Sequence, residues 1–303
     1  MSSELRELRD AEVLPPPPEV APALDLPAAE KPSYGQILKS SVLIGGSSVA
    51  NIGIGIVRTK AIAVLLGPAG FGLMGLYGSI ADLAVSIAGM GVNSSGVRQI
   101  AEAAGSGDAK RIARTVTILR RTAIFLGILG AGLLVAFCRQ VSALTFGTEQ
   151  HAGAVALLSL AVLFRLVAAG QGALVQGMRR IADLAKMGVL GALFGTMISI
   201  PVVYFFREEG VVPSLVCVAA MSIVTSWWYS RKVRIEPPAM TASEVRHEAA
   251  SLLKLGFAFM ASGFLVMGAA YAVRIIVVRN AGLEAAGFYS SAWTLGGLYV
   301  GYI

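Results

Sequence analysis

The chain has 303 residues, of which 55% are hydrophobic and only 14% charged, with a mean hydropathy of +0.71. A soluble domain carries about 25% charged residues, so this composition excludes a disordered chain, a secreted disulfide scaffold and an ordinary soluble enzyme. What remains is an all-α polytopic membrane protein. The two cysteines, Cys138 and Cys217, lie far apart, and there are only two histidines, so no metal site or cofactor is expected. The net charge of +7 is read as membrane topology rather than nucleic-acid binding, because basic residues gather in cytoplasmic loops.

Residues 1–34 are acidic and contain the run Pro15 to Pro18. They cannot bury a core and are expected to form a disordered, proline-rich cytoplasmic tail. They lack the apolar stretch of a signal peptide. From Ile37 onward, apolar segments alternate with short charged loops. A spanning helix needs about 20 mostly apolar residues. Eight segments qualify: Ile37–Leu66, Phe71–Val97, Thr122–Cys138, Ala152–Met178, Met187–Phe206, Val211–Trp228, Leu255–Val278 and Ala285–Ile303. Their apolar runs do not alternate with period two, so they are read as helices rather than barrel strands. The expected organisation is a six-helix bundle over residues 35–230, a cytoplasmic linker over 231–251, and two further helices over 252–303.

With the N-terminus inside, the cytoplasmic loops hold Arg98, Lys110, Arg111, Arg114, Arg120, Arg121, Arg179, Arg180, Lys186, Arg231, Lys232, Arg234, Arg246 and Lys254. The outer loops hold only Arg139, Arg207 and Arg279. This asymmetry follows the positive-inside rule and fits eight crossings.

The ionisable residues well inside the apolar segments are Arg58, Lys60, Asp82, Arg165 and Arg274. Each costs about 2.5–3.5 kcal/mol at a helix centre and is a functional candidate by default. Snorkelling to the headgroups is the competing reading, and it stands equally for Lys60 and Arg274. It suits Arg165 poorly, because uncharged residues Ala152–Phe164 and Leu166–Met178 flank it. Arg58 and Lys60 are about 200° apart around a helix, so they are not expected on one face.

Gly75, Ser79, Asp82, Ser86, Gly89 and Asn93 recur at helical spacing, as do Ser48, Asn51, Gly55 and Arg58, and Arg165, Ala169, Gly172 and Gln176. Small residues alone would mean tight helix packing. Mixed with polar and charged ones they favour a wet cavity, with Asn51, Ser79, Ser86, Asn93 and Gln176 on its wall. Four cations against one acid make that cavity attractive to an anion. A membrane-embedded anion with a large polar attachment is a lipid phosphate or pyrophosphate.

Other patterns carry little. Gly70-Phe-Gly72-Leu-Met-Gly75 has dinucleotide-loop spacing but falls between two apolar segments rather than after a strand. No phosphate-binding GxxxxGK[ST] motif occurs, so no ATP motor is expected in the chain.

The stretch RTKAIAVLLGPAGFGLMGLYGSIADL, followed by GMGVNSSGVRQIAEA, and the later RNAGLEAAGFYSSAWTLGGLYVGYI resemble the Wzx-type flippases of lipid-linked oligosaccharides (O-antigen and enterobacterial common antigen). That family belongs to the multidrug/oligosaccharidyl-lipid/polysaccharide exporter superfamily. The resemblance implies two pseudo-symmetric six-helix halves, of which this chain would hold one and the start of the other, as a C-terminally incomplete sequence. A short internal echo agrees: Arg58…Gly67-Pro-Ala-Gly70-Phe71 parallels Arg274…Gly282-Leu-Glu-Ala-Ala-Gly287-Phe288, with an insertion.

The resemblance further implies a multi-pass protein of the bacterial inner membrane that is not an enzyme. It would flip an undecaprenyl-pyrophosphate-linked glycan by alternating access, beside a polysaccharide polymerase and a chain-length regulator. Arg58, Lys60, Arg165 and Arg274 would bind the pyrophosphate. Asp82 would be either an ion-coupling site or the partner of an arginine. Two other readings stay open: a cation or drug antiporter of the same superfamily, which needs acids in its lumen, and a membrane-embedded glycosyltransferase or polymerase.

Overall fold

The computed structural model describes residues 34–233 and 242–300. The proline-rich tail, all but its last residue, and part of the expected linker lie outside the described residues. Every regular element among the described residues is helical: α1 (Tyr34–Ala88), α2 (Val92–Ser106), α3 (Ala109–Ala136), α4 (Cys138–Phe146), α5 (Ala152–Gly177), α6 (Ile181–Phe206), a 3-10 turn (Arg207–Gly210), α7 (Val211–Ser230) and α8 (Ala242–Val300). Five stretches are long and apolar enough to cross a membrane: Val42–Ala88, Ala109–Ala136, Ala152–Gly177, Ile181–Ser230 and Glu248–Thr294. The protein is thus an all-α, multi-pass membrane protein.

Three of those stretches are broken. α1 breaks at Gly67 (φ 68, ψ −177) and α8 at Gly282 (φ 84, ψ 176). Glycine alone reaches this backbone region without strain. At the first break Pro68 follows at once, and its fixed φ suits the first position of a new helix. The third break is the 3-10 turn at Arg207–Gly210, between α6 and α7. Its Arg207 reaches back and donates from Nη1 to the Leu65 carbonyl, 2.9 Å away, satisfying a helix-end acceptor beside the Gly67 break.

Several boundaries depart from the expected ones. The span expected over Phe71–Val97 stops at Ala88, because the chain turns through Met90 (φ 43) and Gly91 (φ 62). α2 then runs as a separate amphipathic helix with Val92, Ser95, Gly96, Ile100 and Ala103 buried. α3 begins at Ala109 rather than Thr122. Its first turns carry Lys110, Arg111 and Arg114 outward while Ile112, Val116 and Leu119 are buried. Asp108 caps it, accepting from the Lys110 and Arg111 amides at 2.9 and 3.3 Å. α8 begins at Ala242, inside the stretch expected as linker.

The core centres on α5. Val155, Leu158, Ala161, Val162 and Leu166 pack with Leu73, Tyr77, Ile80 and Ala81 of α1, and with Val211, Val212 and Ala219 of α7. Phe125, Phe205 and Leu265 are exposed, as side chains facing lipid would be.

The two glycine breaks meet. A Cβ at Gly72 would strike the Leu283 carbonyl oxygen, and one at Gly287 would strike the Pro68 carbonyl oxygen. With Gly67 aligned on Gly282, Pro68 falls on Leu283 and Gly72 on Gly287, so this contact is reciprocal. Gly75 falls on Ser290, and these two also touch. That is the geometry of a local two-fold relation between the hairpins. It needs no insertion, unlike the pairing of Gly70 with Gly287 read from sequence. In this register Arg274 aligns with Thr59, one position from Arg58.

Candidate functional site

The intramembrane charges fall on α1, α5 and α8. Arg165 of α5 and Asp82 of α1 form an ion pair, Nη2 to Oδ1 at 2.7 Å. Their side chains are 40% and 43% exposed although both helices contribute to the core, so the pair borders open space rather than sitting sealed in it. A pair that is open on one side carries less desolvation cost than a sealed one.

Arg58 and Arg274 are different. Each is half-buried, and in each the Nε atom is enclosed and lacks a hydrogen-bond partner. Arg274 donates from Nη1 to the Ala270 carbonyl at 3.4 Å, and its guanidinium lies 5.9 and 5.6 Å from the ring centres of Tyr289 and Trp293. Those two rings are stacked at 6.1 Å. Neither arginine has a carboxylate partner among the described residues. By a rise of about 1.5 Å per residue, Arg58 and Arg274 lie roughly 12–14 Å from their glycine breaks, and Asp82 roughly 22 Å from the first. The two unpaired cations therefore share one depth, and the ion pair lies deeper.

The remaining residues expected at the lumen are scattered. Lys60 is exposed, on another side of its helix from Arg58. Asn51 is half-buried with Oδ1 unpartnered, and its side chain packs toward Gly188 of α6. Ser79 does not line open space: it is buried, and its hydroxyl donates to the Gly75 carbonyl at 2.7 Å. Ser86 faces α8 at Gly263. Asn93 leaves the α1 stripe altogether, because the turn at residues 89–91 places it on α2, where it is exposed. Gln176 is exposed at the last turn of α5. Of that stripe, Gly75 and Ser86 pack against α8, at Ser290 and Gly263.

Sequence reasoning missed a latch around α4, on the side of the glycine breaks. The short helix α4 is tied to α1 and α5 through Phe146, whose ring lies 4.2 Å from His151 and 5.3 Å from Tyr77. Tyr77 Oη and His151 Nδ1 are 2.9 Å apart. α4 is also tied to α8, because Thr145 Oγ1 hydrogen-bonds Tyr271 Oη and Arg279 Nη2 donates to the Leu144 carbonyl at 2.6 Å. The aromatic and hydroxyl types were visible in sequence, but nothing there marked a helix as short as α4.

Between the first turns of α1 and those of α6 lies an apolar groove of about 720 Å3, lined by Leu38, Val42, Leu43, Val189 and Leu190, with Lys186 at its margin. Its wall is almost wholly hydrocarbon, with Tyr229 the other polar contributor of size.

The family described as "Polysaccharide biosynthesis protein" matches the chain over residues 37–303. No curated protein matches it by sequence. Among solved structures it is similar to one described as the inward-facing conformation of a multidrug resistance MATE family transporter of the MOP superfamily. The TM-score is 0.53 at 19% identity, covering 80% of this chain and 57% of that one. The likeness shows a shared helical fold, and the chain spans a little over half the length of that transporter.

Proposed function

Since the chain belongs to the polysaccharide biosynthesis protein family, we propose that it is a flippase for glycans carried on a polyprenyl pyrophosphate, such as undecaprenyl pyrophosphate. Its eight apolar segments each cross the inner membrane, with the N-terminus cytoplasmic, and alternating access moves the lipid-linked glycan outward. A polymerase and a chain-length regulator would use the product. No covalent step is involved, so the chain is not an enzyme in this reading.

One observation carries the reading. Arg58 and Arg274 hold enclosed, unpartnered Nε donors at one depth, while Asp82, the acid of these segments, is already paired with Arg165. Each enclosed Nε donor left without an acceptor costs about 1–3 kcal/mol unless a ligand completes it. A pyrophosphate supplies both the charge and the acceptors for a planar guanidinium fork. The apolar groove between α1 and α6 supports a lipid-borne substrate, because a prenyl chain can lie there while the charged group is held inside. The same charge balance disfavours a cationic drug as cargo.

The test is transport in proteoliposomes loaded with a fluorescent polyprenyl-pyrophosphoryl glycan, read as loss of label from one leaflet. Arg58→Gln and Arg274→Gln should each slow flipping at least tenfold at equal protein content. Equal rates for the pyrophosphoryl lipid and an uncharged glycolipid of the same chain would contradict the reading.

A further inference from the structure

A second cationic site lies away from this pathway. Between α3 and α7, floored by α5, is a cavity of about 400 Å3 lined among others by Arg120, Gln171, Trp227, Ser230 and Arg231. Its floor residues Val167, Gly170 and Gln171 stand roughly 200°, 140° and 240° around α5 from Arg165. The cavity therefore opens on the opposite side of α5 from the Arg165–Asp82 pair.

Its polar groups are held in place and aimed inward. Arg120 Nη2 donates to the Ser230 carbonyl at 3.3 Å, joining α3 to the end of α7. Ser226 Oγ donates to Gln171 Oε1 at 2.6 Å, which leaves the Gln171 amide group as the donor. The Arg231 guanidinium lies 4.9 and 5.1 Å from the ring centres of Trp227 and Trp228. Among the described residues, no carboxylate lines the cavity. Among the described residues, two guanidiniums and an amide thus line one cavity without counter-charge, as a phosphate requires.

The surroundings specify what carries that phosphate. On α3, Ile124 and Ile128 continue the face of Arg120 at intervals of four and are 47% and 60% exposed. On α7, Val224 and Trp227 continue the face of Arg231 and are 53% and 52% exposed. An apolar track therefore leads from the cavity along the outside of the bundle. We infer that this cavity binds the headgroup phosphate of an acidic glycerophospholipid of the bilayer, with the acyl chains on the α3–α7 face. A zwitterionic headgroup fits worse, because its ammonium finds no acid there among the described residues.

Brominated acyl chains quench tryptophan, and Trp227 and Trp228 flank the site. The full-length protein in neutral detergent is titrated with dibrominated phosphatidylglycerol and, separately, dibrominated phosphatidylcholine. Phosphatidylglycerol should bind at least about tenfold tighter, and Arg120→Gln/Arg231→Gln should remove that preference. Because Arg120 also joins α3 to α7, Arg231→Gln alone is measured too. It should cost about threefold with an unchanged melting temperature, and Arg231→Lys should recover part of the loss. Inorganic pyrophosphate at millimolar concentration should not displace the lipid. Equal binding of the two lipids, or full preference in Arg231→Gln, would overturn the inference. So would displacement by inorganic pyrophosphate, which would mark a free-phosphate site, or tighter arginine-dependent binding of polyprenyl pyrophosphate, which would mark a substrate port. None of these readouts depends on transport.

Discussion

Asp82→Asn separates the two roles open to the acid of the α1–α5 ion pair. The substitution keeps the shape and removes the charge facing Arg165 at 2.7 Å. Gross Coulomb attraction between charge centres about 4 Å apart is about 4 kcal/mol for an effective dielectric of 20. Breaking a sealed pair costs about 3–5 kcal/mol, and an exposed pair about 0–1. With side chains 40% and 43% exposed, this pair falls between, and the expected loss is about 1–2 kcal/mol. In thermal unfolding monitored in detergent, that is a fall of roughly 2–6 °C. Arg165→Gln should cost a similar amount, and the double variant no more than about the larger single loss. Single losses that add within about 0.5 kcal/mol would refute the pairing. Transport is then measured at matched abundance. If the acid only pairs Arg165, substrate flipping per folded molecule should fall little. If it couples an ion, the response to an ion gradient should vanish while binding persists.

Three further outcomes are expected. Gly67→Ala and Gly282→Ala should each destabilise by about 1–3 kcal/mol through backbone strain alone, since no atom lies within 4 Å of either added Cβ; Gly78→Ala, equally open but helical, should be neutral or stabilising in the same thermal assay. Cysteines introduced at Gln150 and Glu209 should react with impermeant reagent from outside, and those at Ser106 and Lys110 only after permeabilisation; the reverse pattern would contradict the charge-based orientation. Tyr271→Phe removes the hydroxyl that joins α8 to Thr145 of α4, and should raise the deuterium exchange of α4 amides several-fold while leaving α3 unchanged.

Much of this architecture is legible in the sequence, and the reasons differ by element. Long apolar runs declare themselves because lipid leaves the backbone no other partner. The Gly67 and Gly282 breaks are visible as glycines between runs, though their shared backbone geometry and gapless register are not. The Arg165–Asp82 pair follows from cost and scarcity, since one acid is available to several cations. Helical periodicity identifies a face but not what the face meets. For that reason Ser79, read as lumen wall, is buried and bonded within its own helix, Ser86 faces α8 at Gly263, and Asn93 sits beyond a turn that periodicity cannot see. The early start of α3 is hidden because its exposed arginines lower the local hydropathy while Ile112, Val116 and Leu119 still pack. The cavity at Arg120 and Arg231 joins residues of three helices, and no local pattern announces it.

The central claim is that Arg58 and Arg274 are completed by a pyrophosphate. The most direct measurement is equilibrium binding of a short prenyl pyrophosphate to the full-length protein in neutral detergent, beside the corresponding prenyl alcohol. Binding of the pyrophosphate should be at least about tenfold weaker in each of Arg58→Gln and Arg274→Gln, and should fall with rising salt, while the alcohol binds weakly and equally to all three proteins. Equal affinity of the pyrophosphate for the native protein and both variants would contradict the account.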